Sequence, residues 1–389
     1  VTLTEHTPTV DVAVVGGGVI GLSVAWRAAQ RGLAVAVLER DRAGGGASHV
    51  AAGMLAPVTE AEFGTAGGRL LELGLAAAEM WPGFAAELAE AAGAGVGLRS
   101  TGTLLVARDR DEAEALERRI RHCESLGLHA RRLRPSQARE LEPALAPTVR
   151  LALEAPDDHC VDPRLVCAAL AGAATGAGAQ LLTPAEATRL TLDAAGERVT
   201  GVQCADGTRL AAAQVVLAAG AWSGAVAGLP AAARIPVRPV RGQILRLRDP
   251  AGPGLLTRVV RFEGGYVVPR GDGRYVLGAT VEERGYDQVP TVGGVLEMLR
   301  EIHELVPGVT ELQIEEVGVG LRPGSPDNLP LVGPGPLDGL TWASGHHRNG
   351  ILLAPLTADM VTAALTGEPP AELARACDPG RLTAAGATA

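Results

Sequence analysis

The feature that most narrows what this chain can fold into lies at its start. Residues 10–15 form an apolar, β-branched run interrupted only by Asp11, and Gly16, Gly17 and Gly18 follow at once. A run this short suits a strand buried on both faces in a parallel sheet. From residue 19 to 31 the apolar side chains Ile20, Val24 and Ala28 recur at helical spacing, and Gly32 stands where a C-terminal cap would close the helix. A second apolar strand over residues 34–38 ends at Glu39. This is a strand, helix, strand unit of about 35 residues. In a chain with 51 glycines the spacing Gly16-x-Gly18-x-x-Gly21 says little alone. Set between strand and helix, with an acid about 20 residues on, it predicts a dinucleotide site rather than a plain turn. Glycines at Gly16, Gly18 and Gly21 let backbone approach a pyrophosphate. The helix start at Val19 and Ile20 offers free N–H groups and a partial positive charge, and Glu39 can accept from ribose hydroxyls.

Composition removes several other chemistries. The chain has 389 residues and a net charge of −9, which gives no electrostatic footprint for nucleic acid. All 35 basic residues are arginine. Without lysine there is neither a Schiff-base amine nor a P-loop phosphate anchor. The five cysteines, Cys123, Cys160, Cys167, Cys204 and Cys377, show no C-x-x-C pair and read as reduced structural thiols. Residues 1–10 contain Glu5 and His6 and no apolar leader, so a cytoplasmic setting is expected. The uncharged stretch 210–233 is long enough for a bilayer. Its Gln214, Ser223, three glycines and Pro230 read instead as strand, turn and short helix, with no membrane span.

Further elements follow from pattern. Residues 104–106 predict a short strand and 111–126 a charged surface helix. Asp162 before Pro163 predicts a helix start, running toward Gly176. Strands are expected at 180–182, 199–204 and 214–219. Between 235 and 319 alternating strands such as 243–247, 266–268 and 275–277 predict an antiparallel sheet with one wetter face. A strand over 316–320 should release the chain at Leu321-Arg322-Pro323. A last strand at 340–344 leads through a glycine loop into an apolar helix from Ile351, and the Ala/Gly-rich tail after Pro379 reads as disordered.

After Glu39 come Arg40, Gly44-Gly45-Gly46-Ala47-Ser48 and Ala51-Ala52-Gly53-Met54, small residues able to pass under an extended cofactor where an NAD dehydrogenase normally enters another helix. The chain up to Met54 resembles the flavin-binding start of the D-amino-acid oxidase family, with residues 48–54 resembling its second flavin loop. The resemblance continues in 215–223 (V-V-L-A-A-G-A-W-S), 265–270 (G-Y-V-V-P-R), 320–324 (G-L-R-P-G) and 344–355 (S-G-H-H-R-N-G-I-L-L-A-P). It is greatest with the branch that oxidises glycine for thiazole and thiamine synthesis. It implies an α/β chain, α+β overall, with a Rossmann-like FAD-binding domain (1–84, 148–230 and 320–389) and a discontinuous antiparallel-sheet substrate domain (85–147 and 231–319).

By the same resemblance FAD would contact Gly16, Gly18, Val19, Ile20, Gly21, Glu39, Arg40, Ala47, Ser48, Ala52, Gly53, Met54, Ala187, Gly220 and Trp222. In the last loop it would contact Gly345, His346, His347, Arg348, Asn349, Gly350, Ile351 and Leu352. His346 would serve through its backbone and His347 at the pocket edge, and the pair has too few neighbours for a metal site. No Cys lies in 321–332, so FAD should be non-covalent.

A flavin takes a hydride from the substrate Cα, so the protein must hold the rest of the substrate still. A guanidinium matches a carboxylate handle bidentately, and the resemblance in 320–324 gives Arg322 that role, with Tyr266 completing the grip and Arg348 where the family has a second arginine near substrate and flavin. A packing tyrosine and a loop salt bridge are the plainer readings of the last two. By the same resemblance Gly264-Gly265 replace residues that are bulkier in some relatives and Val281 stands at a place that lines the pocket, so both bear on substrate breadth. The resemblance implies oxidation of glycine, sarcosine and small D-amino acids by O2, with release of H2O2, in a homotetramer. A dehydrogenase passing electrons to a quinone and a non-enzymatic flavin scaffold are the competing readings.

Overall fold

The computed structural model describes residues 9–383, so residues 1–8 and 384–389, with most of the leader and tail discussed above, lie outside it. Strand β1 (Thr9–Val15) is central to the first sheet. It pairs in parallel with β2 (Val35–Leu38) on one side and with Arg209–Leu217 on the other. Gln180–Leu182 extends the parallel array beyond β2, and Leu340–Ser344 extends it beyond Arg209–Leu217. The strand alternation then sorts side chains to two faces. Val12 and Val14 pack on a helical layer made by α1 (Val19–Gln30), Gly64–Ala92, Pro163–Gly176 and Ala354–Thr366. Ala13 and Val15 face a layer that includes the hairpin Ala187–Leu192 and Val199–Cys204. Both faces are covered, which is why β1 is apolar throughout its inner part.

Residues 180–182, 199–204 and 340–344 are strands with the expected ends, and the Asp162 carboxylate caps the helix Pro163–Gly176 by accepting from Arg164 N at 3.0 Å. The uncharged stretch 210–233 is a strand followed by 3-10 turns. No helix among the described residues is long and apolar enough to cross a membrane. All five cysteines are buried and free.

The second sheet runs Gln313–Gly324, Arg238–Arg248, Arg274–Gly278, Gly265–Pro269, Val259–Phe262, Thr103–Ala107, Leu151–Ala155, Arg131–Leu133. Its pairs are antiparallel except Val259–Phe262 with Thr103–Ala107. Five sequence expectations change here. The expected wetter face is absent at Arg238–Arg248, where residues 240–247 are all buried. Leu245 and Leu247 pack on the helix Val292–Leu305, while Ile244 packs with Ala52 and Cys160 from the other half of the chain. Arg322 lies within a strand, because pairing with Arg238–Arg248 continues to Gly324. Leu151–Ala155 joins this second sheet, although the sequence division grouped 148–230 with the first. The last long helix begins at Ala354 rather than Ile351, the intervening residues forming a turn behind Pro355 at the helix start. Finally, Gly380–Thr383 is a helical turn, not disordered tail.

Candidate active site

A cavity of about 510 Å³ opens where the parallel strands of the first sheet end and meets the inner face of the second. That position, at the carboxyl ends of parallel strands, is where open α/β sheets bind ligands. The glycine loop forms one wall. Gly16 has φ +107°, and a Cβ on it would sit 2.5 Å from Ala218 O. A Cβ on Gly21 would sit 1.9 Å from Gly16 O, so this glycine lets α1 close on the loop and faces away from the cavity. Gly18 lines the cavity, and its nearest neighbour for a Cβ is Ser48 Oγ at 3.3 Å. The first turn of α1 carries no acid, and Gly18 supplies no side-chain cap. The helix start therefore retains its pull on an anion. Val19 N donates to Ser48 Oγ at 3.0 Å, which ties the second loop to the first.

Glu39 is fixed by two backbone donors, Gly17 N at 2.8 Å to Oε2 and Asp41 N at 3.0 Å to Oε1. Each carboxylate oxygen keeps a lone pair for a ribose hydroxyl. Next to it the Arg40 guanidinium lies 3.8 Å from the Trp222 ring centroid, and both line the cavity with Ala187 and Gly220. Ala47, Ser48, Ala52, Gly53 and Met54 form the floor. Gly53 has φ +80°, and a Cβ there would lie 2.2 Å from Val161 O. Three arginines hold this floor by its carbonyls. Arg270 donates to Ala52 O at 2.8 Å, Arg246 to His49 O at 2.7 Å, and Arg164 to His49 O at 3.1 Å. None of the three was expected as a site residue; the sequence gives them no common motif.

At the far end lies the predicted substrate corner. Arg322 Nη1 donates to Arg241 O at 3.2 Å and Thr280 O at 3.1 Å, and the Tyr266 side chain stands beside the guanidinium. The guanidinium fits over Gly242, where a Cβ would come within 2.3 Å of it. Burial pulls its pKa down, while the Tyr266 hydroxyl beside it favours the charge and Arg348 opposes it. Tyr266 sits over Gly278, and burial pushes its own pKa up against the pull of Arg322. Arg348 lines the cavity and also meets Glu62 Oε1 at 3.3 Å, the loop salt bridge of its plainer reading. Val281 lines the cavity and is 65% exposed, which puts it at the mouth.

In the last loop His346, His347, Gly350 and Ile351 line the cavity, whereas Gly345, Asn349 and Leu352 lie behind it. Gly345 has φ +74° and abuts Leu331; Leu352 O accepts from Trp81 Nε1 at 2.8 Å. Asn349 N donates to His346 O at 2.8 Å and closes the turn. Burial holds the His346 pKa down to about 3, with its Nε2 at 3.0 Å from Thr357 Oγ1. His347, in the left-handed region at φ 47°, is lowered to about 4 by burial and then by Arg348 and Arg322. Neither carries charge at neutral pH. Among the described residues no group of His, Cys, Asp and Glu could hold a metal ion.

The His346 shift has a pH consequence. Its folded value of about 3 lies below the ordinary 6.5, so between those values the folded chain binds fewer protons than the unfolded one. The stability from burying a neutral ring is complete above pH 6.5 and is lost as pH falls toward 3. A His346→Asn variant should therefore lose Tm relative to the unsubstituted protein near neutral pH and lose less near about pH 5. Equal losses at both pH values would count against this account.

The residues present fit FAD. The volume is in the range of about 300 to 1,000 Å³ of cofactor sites, and an acid, an acid-free helix start and a glycine floor follow one another along it. Comparison with known proteins agrees. The family model described as "DAO: FAD dependent oxidoreductase" matches residues 11–364. A curated glycine oxidase from Geobacillus kaustophilus is 37% identical over 356 residues, 90% of this chain and 91% of that protein. A bifunctional protein ThiO/ThiG from Synechocystis is 35% identical over 382 residues, 96% of this chain but 54% of that longer protein. The crystal structure of the Geobacillus kaustophilus glycine oxidase superposes with a TM-score of 0.89 at 34% identity, covering 96% of this chain and 98% of that one. With its family match spanning nearly all of the described fold, the chain belongs to the DAO family of FAD-dependent oxidoreductases.

Proposed function

We propose that this enzyme oxidises glycine and other small amines, with sarcosine and small D-amino acids among them, and returns the electrons to O2. The observation that carries the reading is the Arg322 and Tyr266 corner inside the same cavity as the glycine loop. Arg322 brings a buried guanidinium to the cavity for a carboxylate, and the Tyr266 hydroxyl stands beside it. Together they would fix one end of a small amino acid, leaving its Cα–H bond directed by that anchor. When bound, the flavin supplies the hydride acceptor, and its reoxidation by O2 gives H2O2.

Neither His346 nor His347 is tuned to take a proton near neutrality, because burial holds both well below the ordinary imidazole range. The bound ammonium gives up a proton to solvent before the hydride leaves, so that the amine's lone pair assists departure, and the imine then hydrolyses to oxo acid and ammonia, or to an amine for sarcosine. Gly264 and Gly265 with Val281 leave room at the mouth, which suits small substrates of more than one shape. Among the described residues no cysteine lines the cavity, which supports non-covalent FAD. The likeness to ThiO/ThiG supports delivery of a glycine imine toward thiazole and thiamine synthesis. The resemblance also carries a homotetramer and a cytoplasmic setting into this proposal.

Anaerobic glycine should bleach the yellow absorbance of the purified enzyme, and admitting air should restore it with release of peroxide. Bleaching that only an artificial acceptor reverses would select the quinone-linked reading. A flavin that no amino acid bleaches would leave a binding protein.

A further inference from the structure

The cavity has four acidic lining residues, Glu39, Asp41, Glu60 and Glu186. Glu60 is the carboxylate whose charge is felt at Arg322, Tyr266 and His347. It is the anionic group of the substrate end, yet no sequence motif marks it. Its partner is Arg261, Nη2 lying 3.2 Å from Glu60 Oε1, with side chains 13% and 14% exposed. Arg261 Nε and Nη1 are buried without partners, so the guanidinium spends its one short contact on Glu60. Arg261 also stands directly across from Tyr266 in the pairing of Val259–Phe262 with Gly265–Pro269. The cation that steadies Glu60 and the phenol of the carboxylate corner are thus set by one strand register.

The backbone beneath Glu60 is pinned more tightly than a surface turn requires. The fully buried Asp158 carboxylate accepts from Val58 N at 3.1 Å, Thr59 N at 2.7 Å and Thr59 Oγ1 at 2.7 Å. Arg119 donates to Thr59 O at 3.3 Å and to Ala61 O, and Glu60 N donates to Ala56 O at 3.1 Å. Burying the Asp158 carboxylate opposes its ionisation, and burial raises its pKa to about 6. A fold that accepts this at a turn is one in which the turn must not move. Rigid mounting of a charged side chain is what recognition of a small, charged ligand demands.

Resting on the reading of the cavity as a site for small amino acids, we propose that Glu60, steadied by Arg261, receives the substrate's ammonium at the end of the cavity where Arg322 receives its carboxylate. The site then selects zwitterions. Carboxylates without an amine fill only half of it and face an unanswered negative charge.

The test uses the full-length, FAD-loaded enzyme with two probes of nearly equal size, glycine and glycolate, in which a hydroxyl replaces the ammonium. Glu60→Gln should raise the KM for glycine on the order of tenfold to a hundredfold, the loss expected for a hydrogen bond to a charged group. The same variant should bind glycolate as tightly as the unsubstituted enzyme or more so, read from the shift in the flavin spectrum. Glu60→Asp, which keeps the charge, should retain most of the preference for glycine. Equal weakening of both probes by Glu60→Gln would make Glu60 a structural counter-ion of Arg261, and an unchanged glycine KM would remove it from the site; either overturns the assignment. If glycine does not reduce the flavin of the unsubstituted enzyme, the functional reading itself falls. That result is separate from any effect of position 60.

Discussion

Alanine at position 322 will give a yellow protein that has lost its hold on amino-acid substrates. Arg322 lies in the strand Gln313–Gly324, away from the glycine loop, so FAD should remain bound. On the proposed reading the lost interaction is a guanidinium–carboxylate pair inside a cavity, and truncating one member of such a pair typically costs about 2 to 5 kcal/mol. The loss should appear in kcat/KM for glycine, with absorbance reporting full flavin content. Arg322→Lys should recover only part of it, because an ammonium cannot make the paired parallel hydrogen bonds of a guanidinium. The variant should still fold: Arg241 O keeps Glu282 N as its donor, and Thr280 stays tied to Gln243 through its own N–H, with its carbonyl left to water in the cavity. An unchanged kcat/KM would falsify the anchor role of Arg322.

Leucine at position 18 should have the opposite phenotype, a folded and colourless protein. The only atom close to a Cβ there is Ser48 Oγ at 3.3 Å, so the chain itself tolerates a side chain at that point. The rest of the side chain would project into the cavity at the start of α1, in the space a pyrophosphate needs. Gly21→Ala provides the contrast. Its Cβ would fall 1.9 Å from Gly16 O, a clash of backbone with backbone, and the unfolding transition should drop whether or not FAD is present. Flavin content and thermal melting, measured on both variants, separate the two effects. Retention of FAD by Gly18→Leu at full occupancy would count against the placement of the pyrophosphate.

Much of the flavin half was legible because it is local. The run into Gly16, the helical spacing of Ile20, Val24 and Ala28, and the acid at Glu39 are contiguous in sequence, and each is dictated by the period of one element. The helix Gly64–Ala92 was not legible. Leu71, Ala77, Trp81, Phe84 and Leu88 do fall on one buried face, but Gly67, Gly68, Gly74, Pro82 and Gly83 interrupt the pattern with poor helix formers. Packing on α1 and on Pro163–Gly176 outweighs that local preference; Trp26 and Trp81 each meet Phe84 edge-on. Similarly, residues 243–247 suggested a half-wet strand, which the structure extends to Arg238–Arg248. Its outer face turned out to be covered by a loop nearly two hundred residues away in sequence, which no periodicity encodes.

The amino-acid sequence by itself determined the cofactor loop, its acid and the candidate Arg322, since those depend on residue type and short spacing. Only the tertiary structure decided which residues share the cavity with them. Gly345, Asn349 and Leu352 fell behind the wall, while Glu60 and Arg261, from segments without a motif, came into it. The physical reason is that a wall is made by whichever side chains two sheets and their connecting loops turn inward when they pack. That choice belongs to strand register and layer contact, which act between residues far apart in the chain.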